Sequence, residues 1–283
     1  MTQPMMTQPM MTLNDGRRMP QMGTGIWQIS DEATPGVVAR ALELGYRLID
    51  GAAAYGNERG LGQGIRDSDV ARDEVFVTSK LWNDAQGHDA ALRAFDATMA
   101  RVGLDHLDLY LIHWPLPLMD AYVDTWRALI RLRDEGRVRS IGVANFHEAH
   151  LARLIDETGV VPALNQIELH PSLTQAPLRA VNAKLGVVTQ SWTPLGRGDS
   201  FAAPAVTGAA ARIGCSPAQV ILRWHIQHGL SVIPKSENPE RLAENLAALD
   251  IRLTEDEMAA IDALDRGHRT GPDPDTFDYR QSL

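Results

Sequence analysis

The chain has 283 residues, 44% hydrophobic and 22% charged, which suits one large α/β barrel or two ordinary domains. A formal net charge of −9 argues against a general binder of nucleic-acid backbones. A single cysteine, Cys215, excludes an intrachain disulfide or a cysteine-cluster metal site and fits a reducing, cytoplasmic setting.

The first twelve residues, MTQPMMTQPMMT, repeat a polar pentapeptide without the basic region or apolar core of a signal peptide. They are expected to form a disordered tail before a single domain over 13–283. No later run approaches the roughly 18 continuous apolar residues of a membrane span. Asn14-Asp15-Gly16 predicts a tight hairpin between Thr12-Leu13 and Arg17-Arg18-Met19. Extended apolar runs then fall near 22–25, 47–50, 75–80, 107–113, 140–144, 163–167, 186–192 and 231–233.

Between most of these runs lie stretches of helical period. Leu92, Phe95, Met99 and Val102 mark one face; Val123, Trp126, Leu129 and Ile130 mark a second; Leu242, Leu246 and Leu249 mark a third. Gly45, Gly103, Gly136, Gly159 and Gly229 fall where helices should stop. Ser216-Pro217 and Asn238-Pro239 read as a cap followed by a first-turn proline. Thr254-Glu-Asp-Glu257 has capping-box spacing and predicts an extra helix to about Leu264. Residues 193–215, rich in Gly, Ala and Pro, and the stretch after about Arg266 are expected to be long binding or lid loops.

Eight strands alternating with helices are the arithmetic of a single (β/α)8 TIM barrel, here with an N-terminal β-hairpin and an extra C-terminal helix and loop. A doubly wound sheet is the rival, but Gly60, Gly62 and Gly64 are too evenly spaced for its phosphate-binding turn, and Gly23-Thr-Gly25 lacks a third glycine.

In such a barrel, strand carboxyl ends carry the chemistry. Three runs end on polar groups, Asp50, Lys80 and His113, and Tyr55 follows in the first loop. A lysine ammonium beside the phenol is expected to lower its pKa from about 10, and a carboxylate keeps that lysine charged. Tyr55 then serves as general acid toward a developing alkoxide, with His113 orienting the carbonyl oxygen. Taken one at a time, such residues are more often loop hydrogen-bonders or pocket aromatics; their joint placement favours catalysis.

The segments Asp50-Gly-Ala-Ala-Ala-Tyr55-Gly-Asn-Glu58, Lys80-Leu-Trp-Asn83 and His113-Trp-Pro resemble the aldo-keto reductases. So do Gly142-Val-Ala-Asn-Phe146, Asn165-Gln-Ile-Glu-Leu-His-Pro171, Ser191-Trp-Thr-Pro-Leu-Gly196 and Ile233-Pro-Lys-Ser236 with Arg241 and Asn245. The likeness runs from about Leu13 to Asp265 and is greatest to the bacterial branch that includes 2,5-diketo-D-gluconate reductase. It implies a tetrad of Asp50, Tyr55, Lys80 and His113, and NADPH bound without a Rossmann domain. It further implies Trp192 stacked on the nicotinamide, Asn145 and Gln166 on its carboxamide, and backbone near Leu195 and Gly196 at the pyrophosphate. Lys235, Ser236 and Arg241 would hold the 2′-phosphate, with Asn245 near the adenine; an ammonium and a guanidinium suit a dianion.

Three positions depart from the family pattern. Gly51 replaces a common Thr and is expected to loosen its turn; Ala144 replaces a Ser that helps hold the carboxamide. Glu237 stands where a neutral residue is usual, and a carboxylate there would repel the 2′-phosphate, which admits NADH beside NADPH.

Trp27, Trp82 and Trp114 all follow barrel strands and are expected to wall a pocket for a small carbonyl compound, although most tryptophans simply pack in cores. The loop around Phe201 and the tail from about Thr270 would close the mouth. His225 and His228 are expected to face outward and His170 to be a structural hydrogen-bonder, so no metal is expected. Glu168, placed inside its strand run, makes a poor glycosidase partner for Asp50. The expected activity is therefore NADPH-dependent reduction of small keto acids, keto sugars or dicarbonyls by a monomer with no nucleic-acid or membrane partner. A nicotinamide-binding sensor with little turnover is the alternative.

Overall fold

In the computed structural model, which describes residues 8–279, all eight apolar runs form strands of one parallel sheet. They are β3 (Thr24–Gly25), β4 (Leu48–Asp50), β5 (Phe76–Leu81), β6 (Leu107–Ile112), β7 (Val138–Ala144), β8 (Leu164–Glu168), β9 (Val188–Trp192) and β10 (Ser231–Val232), with β1 and β2 reserved for the hairpin below. Neighbours pair in sequence order, and bridges from Met22 to Val232 and from Gly25 to Lys235 close the ring. This is the expected (β/α)8 barrel.

Strand side chains sort by the two-residue period. In β6, Leu109 and Leu111 belong to the inner apolar cluster, while Tyr110 and Ile112 join the outer cluster under the helices. Burying each such side chain is worth roughly 1.5–3 kcal/mol, so a one-residue slip of any strand is costly.

The hairpin pairs β1 (Met10–Thr12) with β2 (Arg18–Pro20) and plugs the amino-terminal end of the barrel. Its Leu13 and Met19 join Leu48, Phe76 and Leu164 in the inner cluster. Asn14 Nδ2 donates to Pro162 O at 2.9 Å, and Ser140 Oγ donates to Asp15 Oδ2 at 2.6 Å. The expected tail boundary at residue 12 is therefore corrected: β1 begins at Met10, and buried Gln8 donates to Gly45 O at 3.1 Å. Strand pairing uses backbone N–H and C=O groups, which a polar repeat carries as well as an apolar one. The remainder of the expected tail, residues 1–7, lies outside the described residues.

Ten α-helices occur among the described residues: α1 (Thr34–Leu44), α2 (Glu58–Arg66), α3 (His88–Val102), α4 (Tyr122–Asp134), α5 (Glu148–Thr158), α6 (Ala176–Lys184), α7 (Pro204–Ile213), α8 (Pro217–Gln227), α9 (Pro239–Leu246) and α10 (Glu255–Asp262). The expected caps are present: Ser216 accepts from Gln219 N, Asn238 from Arg241 N and Thr254 from Glu257 N. The extra helix α10 stops at Asp262, two residues short of expectation.

Gly60, Gly62 and Gly64 lie in α2 and serve packing. A Cβ on Gly62 would stand 1.6 Å from Val102 O, and one on Gly64 would stand 2.7 Å from Pro35 O and Val38 Cβ. Even spacing on a helix wedged between neighbours explains why these glycines do not form a phosphate loop.

The expected loop over 193–215 is interrupted by α7, which takes up 204–213. Its alanines are strong helix formers, and Pro204 occupies a position in the first turn where no N–H is needed. None of the described helices is long and apolar enough to cross a membrane.

Candidate active site

The carboxyl ends of β4, β5 and β6 bring three expected groups to one rim. Lys80 Nζ lies 2.6 Å from Asp50 Oδ2, 2.9 Å from Gly51 O and 3.2 Å from Tyr55 Oη. Three acceptors match the three hydrogens of an ammonium, so this buried cation is saturated. Asp50 Oδ1 in turn accepts from Gln166 Nε2 at 2.8 Å, which also donates to Gln190 Oε1 at 2.7 Å. Gln190 Nε2 donates to Ser231 Oγ at 2.9 Å, so a polar chain crosses the upper barrel.

Burial alone would depress Lys80, but Asp50 and Tyr55 outweigh it and hold the ammonium above its ordinary pKa. Burial raises the Tyr55 phenol; the Lys80 charge pulls it down, the Asp50 charge pushes it up, and burial prevails. The expected lowering of the phenol is thus overturned, because desolvating a phenolate costs more than one shared ammonium returns. A phenol so placed keeps its proton at neutral pH.

His113 follows β6, with its ring edge-on to Tyr55 at 5.9 Å and to Trp82 at 5.1 Å between centroids. Burial and, secondly, the Lys80 charge push its pKa well below the usual histidine value, so the ring is neutral. Its Nδ1 is buried and has no hydrogen-bond partner among the described residues. A neutral imidazole keeps one N–H and can therefore donate a single hydrogen bond.

A cleft of about 650 Å³ opens over this rim. Of the expected residues, Asp50, Tyr55, His113, Trp27, Trp82, Trp114, Asn145, Gln166, Trp192, Leu195 and Lys235 line it. Gly196, Lys80, Ser236, Arg241 and Asn245 do not, although Arg241 and Asn245 sit four apart on α9, just after Ser236. Asn145 has φ 64° and is fixed by its Nδ2 donating to His113 O at 2.9 Å and by Trp192 Nε1 donating to its Oδ1 at 2.8 Å. Gln28, Thr193 and Arg197 also have positive φ and also line the cleft, so left-handed backbone concentrates at the mouth.

Several expectations change. A Cβ on Gly51 would stand 2.9 Å from Leu61 Cδ2, the far end of a side chain that must shift to admit a larger residue. His225 is buried, not outward-facing: it contacts Ser191 Oγ at 3.1 Å and Pro194 O at 3.0 Å. His228 pairs with Asp262 at 2.8 Å. Glu168 ends β8 instead of lying within it, and its partner His170 is buried beside it at 3.1 Å. Lys235 Nζ stands 2.6 Å from Glu237 Oε1.

Phe201 lines the cleft as expected, and the tail contributes Gly271, Pro272 and Phe277. Sequence reasoning missed Gln28, Arg197 and Phe277 individually; the glycines flanking Arg197 were the available signal for that residue. It also missed a cluster of His147, Asp273 and Asp275, whose ligand-type atoms lie within 4.8 Å of one another.

Known proteins resemble this chain along most of its length. The model of the Aldo/keto reductase family matches residues 19–266. An aldo-keto reductase of Mycolicibacterium smegmatis is 55% identical over 96% of this chain and 98% of its own. Methylglyoxal reductase DkgA of Escherichia coli is 49% identical over 94% of this chain and 96% of its own. Among solved structures, a D53A mutant of Gox0644 in complex with NADPH superposes with a TM-score of 0.93 at 47% identity, covering 96% of this chain and all of that one.

Proposed function

Since the chain belongs to the aldo/keto reductase family, we propose that it reduces small aldehydes and ketones, dicarbonyls and keto sugars among them, to alcohols with NADPH. It is an NADP-dependent oxidoreductase. The observation carrying the reading is the Lys80 ammonium shared between Asp50 and the Tyr55 hydroxyl.

The cleft residues fit a nicotinamide dinucleotide. Primary-amide side chains, Asn145 and Gln166, line the cleft with Tyr55, and the cation Lys235 lies on the same lining. When bound, NADPH supplies a hydride. Asn145, Gln166 and Trp192 would hold the ring end; backbone near Leu195 and Gly196 would meet the pyrophosphate; Lys235, Ser236 and Arg241 would take the 2′-phosphate, with Asn245 near the adenine.

The chain's own groups handle the proton. His113 Nε2–H and Tyr55 Oη–H both donate to the substrate carbonyl oxygen and orient it. As negative charge grows on that oxygen, the Tyr55 proton transfers to it, and the Lys80 ammonium stabilises the phenolate left behind. Asp50 keeps Lys80 charged throughout. Trp27, Trp82 and Trp114 wall the cleft and exclude water, which strengthens each of these interactions. A sensor would have no use for such a relay. A cytoplasmic monomer completes the reading.

The test is NADPH oxidation by the wild-type chain with methylglyoxal, a keto sugar and an aromatic aldehyde, beside Lys80→Met. Turnover of at least one compound, lost in the variant while NADPH binding persists, is expected. Equal rates in the two proteins would remove the lysine from the mechanism.

A further inference from the structure

Glu168 stands on the same rim yet has no part in the proton relay. It is fully buried. Its Oε1 accepts from Thr270 N at 2.6 Å and Thr270 Oγ1 at 2.7 Å, and its Oε2 accepts from Gly271 N at 3.0 Å. His170 Nε2 lies 3.1 Å from Oε1 and the Arg269 guanidinium 3.8 Å from Oε2. Burial works to raise its pKa, but the hydrogen bonds from His170, Thr270 and Gly271 prevail and bring it down to about 2. The group is ionised at neutral pH, and a buried carboxylate persists only when so fully satisfied.

Apart from His170, the partners that satisfy it belong to the irregular stretch after Arg266, which crosses the mouth of the barrel. That stretch forms part of the cleft wall through Gly271, Pro272 and Phe277, the last with its ring 4.5 Å from that of Trp114. Gly271 sits against Trp192: a Cβ there would stand 2.6 Å from Trp192 Cη2. Farther along, Asp275 lies 2.8 Å from His147 Nδ1 and 3.5 Å from His150 Nε2, at the exposed start of α5. His150 Nδ1 accepts from the His147 backbone N–H at 3.1 Å, which leaves the neutral ring's proton on the nitrogen facing Asp275. The strap is thus held at two points, of which Glu168 is the buried one.

We propose that Glu168 is a positioning residue for carbonyl reduction: by holding Thr270 and Gly271 it fixes residues 270–277 as the outer wall of the cleft, and so selects carbonyl substrates by size. The substrate part rests on the carbonyl-reductase reading; the anchoring does not. Glu168→Gln keeps the volume but replaces one acceptor oxygen with a donor aimed at N–H groups. Hydrogen exchange of the amides over 270–277, measured without substrate, is expected to quicken by about tenfold or more. The ratio of kcat/KM for a bulky aromatic aldehyde to that for methylglyoxal is expected to shift by about threefold or more, chiefly through KM.

Thr270→Val removes one donor from the strap itself and is expected to move both readouts the same way but less. It keeps the test decisive if Glu168→Gln folds poorly. Wild-type exchange in Thr270→Val and in a folded Glu168→Gln overturns the proposal, and so does faster exchange with an unchanged substrate ratio. Absence of any carbonyl reduction by the wild-type protein sinks the size-selection claim together with the carbonyl-reductase reading, while the exchange result still separates that failure from a failure of the anchor.

Discussion

The two ends of the cleft are built on opposite principles. At the Tyr55 end the cation and its counter-charge are buried and matched: Lys80 meets three acceptors, and Asp50 meets both Lys80 and Gln166. At the Lys235 end the charges are exposed, and Lys235 is bound to its own neighbour Glu237, with 34% and 49% of the two side chains open to solvent. A matched buried network has one arrangement and resists change. An exposed pair is worth about 0–1 kcal/mol and rearranges freely. Chemistry is therefore fixed at one end, while recognition at the other is adjustable by single residues.

The sharpest way to break this comparison is at the phenol. Tyr55→Phe removes the transferable proton and leaves the ring in place, and a fall in kcat of about a thousandfold is expected, within the range for general acids. Steady-state rates with a readily reduced carbonyl check it. The same group sets the pH limit. Its pKa is raised, so the proton needed for reduction is present through neutral pH and lost only as pH climbs through a value above the ordinary 10 or so. A rate profile for reduction that is flat near neutrality and falls on the far alkaline side is expected; a fall beginning below pH 8 or so would mean that another group controls the step.

Next in size is Asp50→Asn. It leaves the buried Lys80 ammonium without its counter-charge, and breaking such a pair costs about 3–5 kcal/mol. Chemical denaturation should show a loss of that order, whereas Glu237→Gln should leave stability nearly unchanged. Similar losses in both variants would erase the proposed contrast between a rigid end and a yielding one.

Most of the rigid end was legible in the sequence, and the reason is local. Asp50, Lys80 and His113 each end an apolar run, and the two-residue strand period carries a polar terminus to the rim without any long-range information. The barrel was legible likewise, since alternating runs and helix-stopping glycines are periodic signals. Three things were not. The Tyr55 pKa depends on how thoroughly the phenol is desolvated, which no spacing reports. Residues 204–213 carry the Gly and Pro of a loop, and the helix comes from the alanines between them. The strap came only as a region, because its contacts join Thr270 to Glu168 and Phe277 to Trp114, pairs separated by more than a hundred residues with no shared period.

The smallest expected effect lies at the yielding end. In the proposed mode the 2′-phosphate of NADPH approaches Lys235, whose ammonium Glu237 already holds at 2.6 Å. The phosphate must displace that carboxylate or bind beside it, and either course weakens the discrimination that Lys235 and Arg241 provide. NADH carries no such group and is indifferent. Glu237→Gln should therefore tighten NADPH binding by about twofold to fivefold at low salt, in line with the modest worth of exposed pairs, and leave NADH binding unchanged. Since the charges are solvent-exposed, the gain should shrink as ionic strength rises and the screening length falls toward roughly 8 Å at physiological salt. Fluorescence titration of both cofactors at two salt concentrations reads all of this without turnover. An NADPH to NADH affinity ratio that does not respond to the substitution would place the phosphate elsewhere and return Glu237 to the surface as a bystander.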